Sequence, residues 1–247
     1  MITLLLALAA AQTEPAEAEF ARCTQLVRSE PEKAIVAAGE WRAKGGGIFA
    51  RQCLGLAYVQ LERWAPAAAA FELAAQEAET RQDPRRADFW AQSGNSWLAA
   101  NDPFKARKAF DAALAASILT AGLRGEVHLD RARAGVALGD LAGARTDIDQ
   151  GLKLVPGDAF GWYLSSALAL RQSDLARAQD DIAEAVRLAP DNADLLVHAG
   201  NVAGVSGELE AARGLYAKAI KAAPNSDAAR AARAALAANA DRPAQSR

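Results

Sequence analysis

Pro156, Pro190 and Pro224 stand 34 residues apart, and each closes a segment with the same internal spacing. A period of this length marks a supersecondary unit that cannot bury its apolar face alone and must stack on its neighbours. With units written from Gly125, Ala159 and Ala193, the fifteenth and sixteenth positions read Gly139-Asp140, Ser173-Asp174 and Gly207-Glu208, turn residues at one offset. The twentieth position is Ala144, Ala178 and Ala212, the twenty-fourth Ile148, Ile182 and Tyr216, and the twenty-seventh Gly151, Ala185 and Ala219. Each unit therefore reads as two helices of about 13 residues, the second ending before a proline that has no N–H and disfavours helix in the residue before it. Small side chains let the helices approach and one large side chain fills the space between hairpins. Of 247 residues, 51% are hydrophobic but only 6% aromatic, and alanine runs such as Ala67 to Ala70 favour helix over sheet.

The same spacing recurs upstream. Phe89-Trp90, Ser93-Gly94, Trp97, Asn101-Asp102, Ala106, Phe110 and Ala113 define a unit from about Ala87; Leu54-Gly55-x-x-Tyr58, Glu62-Arg63-Trp64, Ala67, Phe71 and Ala74 define one from about Ile48. On these residues and the closing prolines the chain resembles the tetratricopeptide-repeat (TPR) family. A weaker first copy starts near Pro15, with Glu30-Pro31 at its turn and Ala34, Ala38 and Trp41 on its second helix. Unit starts at 15, 48, 87, 125, 159 and 193 fill residues 15–226, with extra residues at 76–86 and 117–124 where a helix runs longer or a loop bulges. In the fourth unit His128 and Arg131 occupy positions that usually hold large apolar side chains. The resemblance implies an all-α fold, a right-handed superhelical α-solenoid of about six helix-turn-helix repeats, with a C-terminal solvating helix over 226–240 and a disordered tail over 241–247.

The uncharged run Ile2 to Ala11, ending Ala9-x-Ala11 and followed by Gln12-Thr13-Glu14-Pro15, predicts a signal peptide over 1–11 and export to the periplasm or another exported compartment. The run is far short of the roughly 20 residues of a spanning helix, so no integral membrane segment is expected once it is removed. Its n-region has no Lys or Arg, which keeps a cytoplasmic location as the alternative. Cys23 and Cys53, the two cysteines of the chain, fall on first helices of adjacent units, which lie side by side in arrays of this family. An oxidising compartment favours a disulfide between them; a reducing one leaves two buried thiols.

A formal charge of −2 gives no electrostatic footprint for nucleic acid and no polybasic membrane patch. His128 and His198 sit in different units, the two His and two Cys are scattered, and Gly45-Gly46-Gly47 lacks the Lys-Ser/Thr of a phosphate loop, so no catalytic residue, cofactor or metal is assigned. The acidic pairs Asp180-Asp181 and Glu77/Glu79 read as solvent-facing, and Trp41, Trp64, Trp90, Trp97 and Trp162 as packing between helices.

What remains is a surface. In this family the first helices line a concave groove, and on that face stand Phe49, Gln52 and Leu56, then Asn95, then Leu129 and Arg133, then Phe160, Tyr163 and Arg171, then Asn201. Some members grip a peptide's C-terminal carboxylate with Lys at the fifth position and Asn at the ninth; here the fifth positions are Gln52, Ala91, Leu129, Tyr163 and Val197, so a carboxylate clamp is not expected. The expected function is a non-catalytic scaffold or adaptor that binds a protein or peptide segment through apolar pockets and Asn side chains. The alternatives are a structural component of an envelope complex that uses convex or terminal surfaces and, less favoured for want of a titratable cluster, an enzyme with a site between helices. Oligomeric state is not legible.

Overall fold

The computed structural model describes residues 2–116 and 118–238, with side chains described from residue 16. The side chains of the leader and the tail over 239–247 lie outside the described residues. Among the described residues there are thirteen α-helices and no strand: α1 (Ile2–Ser29), α2 (Pro31–Ala43), α3 (Gly47–Gln60), α4 (Trp64–Thr80), α5 (Arg86–Ala99), α6 (Pro103–Ala115), α7 (Ala121–Ala137), α8 (Leu141–Leu154), α9 (Ala159–Arg171), α10 (Leu175–Leu188), α11 (Ala193–Val205), α12 (Leu209–Ala222) and α13 (Asp227–Ala238). None of them is long and apolar enough to cross a membrane among the described residues.

One turn geometry recurs. Glu62, Asn101, Gly139, Ser173 and Gly207 all stand at the fifteenth place of their units and all take left-handed backbone, with φ of 55°, 59°, 80°, 63° and 84°. The next N–H then reaches back to an otherwise orphaned helix carbonyl: Arg63 to Tyr58 at 2.8 Å, and Asp102 to Trp97, Asp174 to Ala169 and Glu208 to Ala203 at 2.9 Å each. Asp102, Asp140 and Asp174 go on to cap the following helix by accepting from the N–H groups of Lys105, Gly143 and Arg177. Stop and restart are thus encoded in adjacent residues. Both stretches of extra sequence are absorbed in part as helix, since α4 and α7 each run to 17 residues.

Hairpins close by setting a glycine on the first helix against an aromatic ring on the second. A Cβ added to Gly55, Gly94 or Gly200 would lie 2.6, 2.5 and 2.5 Å from the rings of Phe71, Phe110 and Tyr216 respectively. The alanines at the twentieth and twenty-seventh positions, including Ala67, Ala74, Ala106, Ala113, Ala178 and Ala185, are buried between the helices. The five tryptophans are only partly buried, because their rings lie at the margins of this small-residue core.

The chain divides into two compact units, Met1–Gly139 and Asp140–Arg247. The division falls in the turn of the fourth sequence unit, so α7 closes one unit and α8 opens the other. In the first unit Arg131 on α7 pairs with Asp111 on α6 at 2.8 Å. In the second, Arg145 on α8 donates to the hydroxyl and carbonyl of Ser165 on α9 at 2.7 and 2.9 Å, and Ser165 Oγ donates to Asp181 on α10 at 2.5 Å. Arg177 on α10 bonds Asp149 on α8 and reaches Asp181 at 3.4 Å.

That network corrects the solvent-facing reading of two acids. Asp181 is 6% exposed and serves Ser165 and Arg177. Glu77 is half-buried between Arg51 and Arg81, at 2.8 and 2.6 Å. Asp180 and Glu79 are exposed, and Glu79 accepts from the Trp90 indole at 2.7 Å. In the first unit a disulfide joins Cys23 to Cys53 across α1 and α3, with Cα atoms 6.2 Å apart, inside a cluster with Val27, Ala34, Ala38 and Ala57.

Candidate functional site

In the first unit, on α3, the Phe49 ring is tilted against Phe20 at a centroid distance of 5.5 Å, and the Arg85 guanidinium lies 4.4 Å from its centroid. Arg85 is held by Asp83 through bonds of 3.0 and 2.7 Å. This pairing lowers the Asp83 carboxyl below its usual range and raises the guanidinium. Gln52 is half-buried, and its amide oxygen has no hydrogen-bond partner among the described residues. Leu56 shares a cleft of about 260 Å³ with Val59, Gln92 and Asn95, backed by Trp64 and Phe71. Two of the expected residues, Leu56 and Asn95, are therefore brought together.

Asn95 donates through Nδ2 to Asp130 on α7 at 2.8 Å, and Arg133 donates to the other oxygen of Asp130 at 2.9 Å. Asp130 was not among the expected residues because it stands at the sixth position of its unit. It lies 35 residues beyond Asn95, three short of the 38-residue spacing of these two units, so no shared repeat position linked the two. Leu129 requires a correction. It is 3% exposed and therefore closed to a partner, because α7 turns Val127, Leu129, Ala132 and Ala134 inward.

In the second unit, Phe160 at the start of α9 is 47% exposed and stacks on Tyr163 at 5.6 Å. Tyr163 is half-buried, and His198 on α11 meets it in an edge arrangement at 4.9 Å. Behind this trio, Ser166 Oγ donates to the carbonyl of Ala178 at 2.8 Å and lies 3.1 Å from His198 Nε2. A hydroxyl has one proton to give, so the imidazole must donate from Nε2. Burial pushes His198 below its ordinary value and favours the neutral ring. Asn201 on α11 accepts from the Tyr216 hydroxyl at 2.8 Å, and Arg171 is exposed in the last turn of α9. Phe160, Tyr163 and His198 thus form an aromatic step whose outer ring, Phe160, is 47% exposed. Sequence reasoning weighed His198 for catalysis alone and missed its place in this step.

No group of three or more metal-ligating side chains occurs among the described residues. The arrangement offers apolar surface, ring faces and amides, the chemistry of peptide or protein recognition.

No family model and no curated sequence matches the chain. Solved structures do. PilF of Pseudomonas aeruginosa superposes with a TM-score of 0.71 at 14% identity, covering 91% of this chain and 99% of that one. PilW, described as a widely conserved type IV pilus biogenesis factor, gives 0.72 at 16% identity, covering 87% and 96%. YrrB, described as a TPR protein with an unusual peptide-binding site, gives 0.55 at 17% identity, covering 79% and 96%. The chain has the tetratricopeptide-repeat fold, an all-α helical solenoid architecture.

Proposed function

We propose that this protein is a non-catalytic scaffold that binds a protein or peptide segment on the first-helix face of its second unit, and that it works in the cell envelope. The observation that carries the reading is the aromatic step: Phe160 stands nearly half exposed yet is braced by Tyr163 and, through it, by His198. A pre-ordered ring loses little conformational entropy on binding, which is why aromatic anchors dominate interface energetics. Asn95 and Asn201 are the polar contacts of the same helix face in their respective units, and Arg171 is the exposed cation near the partner path. The envelope assignment draws on the leader signature Ala9-x-Ala11 and on the Cys23–Cys53 bond.

A Phe160→Ala/Tyr163→Ala variant tests it. Partner recovery from native envelopes should fall by about 30-fold or more, the effect of losing an anchor of about 2 kcal/mol, with helicity unchanged. Undiminished recovery would move the binding role to a second reading, a structural component of an envelope assembly that uses its second-helix surface. That reading is favoured by Leu73 and Phe104, large apolar side chains exposed on α4 and α6.

A further inference from the structure

Two features on second helices remain unused by the proposed partner face. In the first unit, Phe104 opens α6 and is 59% exposed. Lys108 places its ammonium 4.7 Å from the Phe104 ring centroid and has no carboxylate partner among the described residues. Lys105, one residue on from Phe104, lies 4.1 Å from the Trp97 ring and is neutralised locally by Asp102 at 2.9 Å. The result is an apolar knob beside one uncompensated cation, Lys108.

In the second unit, α10 and α12 leave a groove of about 360 Å³ floored by α11. Ile182, Ala183, Val186, Val202 and Leu215 give it an apolar lining, and Glu208 stands on its rim. Glu208 accepts from Gln179 at 2.8 Å, while Asp180, on the helical turn beside Ala183, is exposed. Neither carboxylate has a cationic partner among the described residues. The neighbouring acids are neutralised locally, Glu184 by Arg187 at 2.6 Å and Glu210 by Arg213 at 2.9 Å. The groove is at the lower end of ligand-sized cavities and lacks converging polar groups, so it suits a single apolar side chain better than a small metabolite.

From this match of shape and charge we infer that the protein self-associates head to tail. Phe104 of one copy enters the α10–α12 groove of the next, with Lys108 facing the acidic rim of Asp180 and Glu208. The two surfaces differ, so the contact is heterologous: each added copy brings a fresh groove and a fresh knob, and the product is a ring or an open chain rather than a closed dimer. Charge at the rim makes association sensitive to salt, because exposed pairs are screened over about 8–10 Å at moderate ionic strength.

Sedimentation velocity of the full chain over a concentration series, with Phe104→Asp and Ala183→Arg variants, tests this. Both positions are exposed, and circular dichroism of each variant reports its helix content. Wild-type protein should grow past dimer as concentration rises, and added salt should reverse the growth. Each variant alone should stay monomeric, because one has lost its knob and the other its groove. A one-to-one mixture should form a dimer and nothing larger, since the intact knob of Ala183→Arg fits the intact groove of Phe104→Asp. Phe104→Ala should weaken association by roughly 30-fold. Monomeric wild type at every concentration, wild-type assembly by Phe104→Asp, or a mixture that remains monomeric would each overturn the inference.

Discussion

Replacing Gly94 by alanine probes how the hairpins close. The added Cβ would sit 2.5 Å from Cε1, 2.7 Å from Cδ1 and 2.8 Å from Cζ of Phe110. Normal carbon contact is about 3.5–4.0 Å, so ring or helix must move by roughly 1 Å. Phe110 is fully buried and has no free direction in which to move. Overpacking of this kind costs about 1–3 kcal/mol, while alanine in place of glycine inside a helix returns about 1 kcal/mol. The control is Gly39→Ala on α2, where nothing lies within 4 Å and only the favourable part applies. Urea melts followed by circular dichroism should place Gly94→Ala about 1–3 kcal/mol below Gly39→Ala. In the fifth sequence unit the equivalent pair is Ser166 with Ile182. Accordingly, Phe110→Ile should cost less in the Gly94→Ala background than in wild type. Equal stability of the two alanine variants, or strict additivity in the double variant, would refute the close-approach account.

Asp181→Ala should destabilise the second unit by about 2 kcal/mol or more in thermal or urea unfolding, because it strips the buried acceptor from Ser165 and one counter-charge from Arg177. The unfolded chain protonates His198 near its ordinary value of 6.5, and the folded chain only at a lower pH because burial opposes the charge. Stability of the second unit should therefore fall as pH drops through that interval, and His198→Gln should flatten the profile between pH 7 and 5, measured as midpoint against pH. Closing a loop of 30 residues is worth about 3–4 kcal/mol on the chain-entropy estimate, so Cys23→Ser/Cys53→Ser should lower the denaturation midpoint of the first unit and remove its response to reductant.

The all-α hairpin architecture was legible because its determinants are local and periodic. A left-handed residue at the fifteenth place, an acid after it and a glycine facing an aromatic ring each recur within one unit length. The division at Gly139-Asp140 was not legible. Nothing in the repeat spacing marks it, since Gly139-Asp140 is the same kind of turn pair as Ser173-Asp174 and Gly207-Glu208. The geometry of the candidate face was partly legible. Phe160 with Tyr163 follows from helical spacing and Leu56 with Asn95 from their shared ninth position in adjacent units, but Leu129 fails because α7 presents a different stripe to its neighbours. Asp181 was misread because charge on a helix is solvent-facing by default, and only the serine and arginines around it make burial tolerable.

Photo-crosslinking from position 160 in the native cell, with the crosslinking residue replacing Phe160, tests the central claim most directly. The account predicts a discrete adduct with one protein partner, found on a chain whose N-terminus, read by mass spectrometry, begins near Gln12. Crosslinks absent from position 160 but present from a probe at Leu73 would contradict it, since binding would then belong to the second-helix surface.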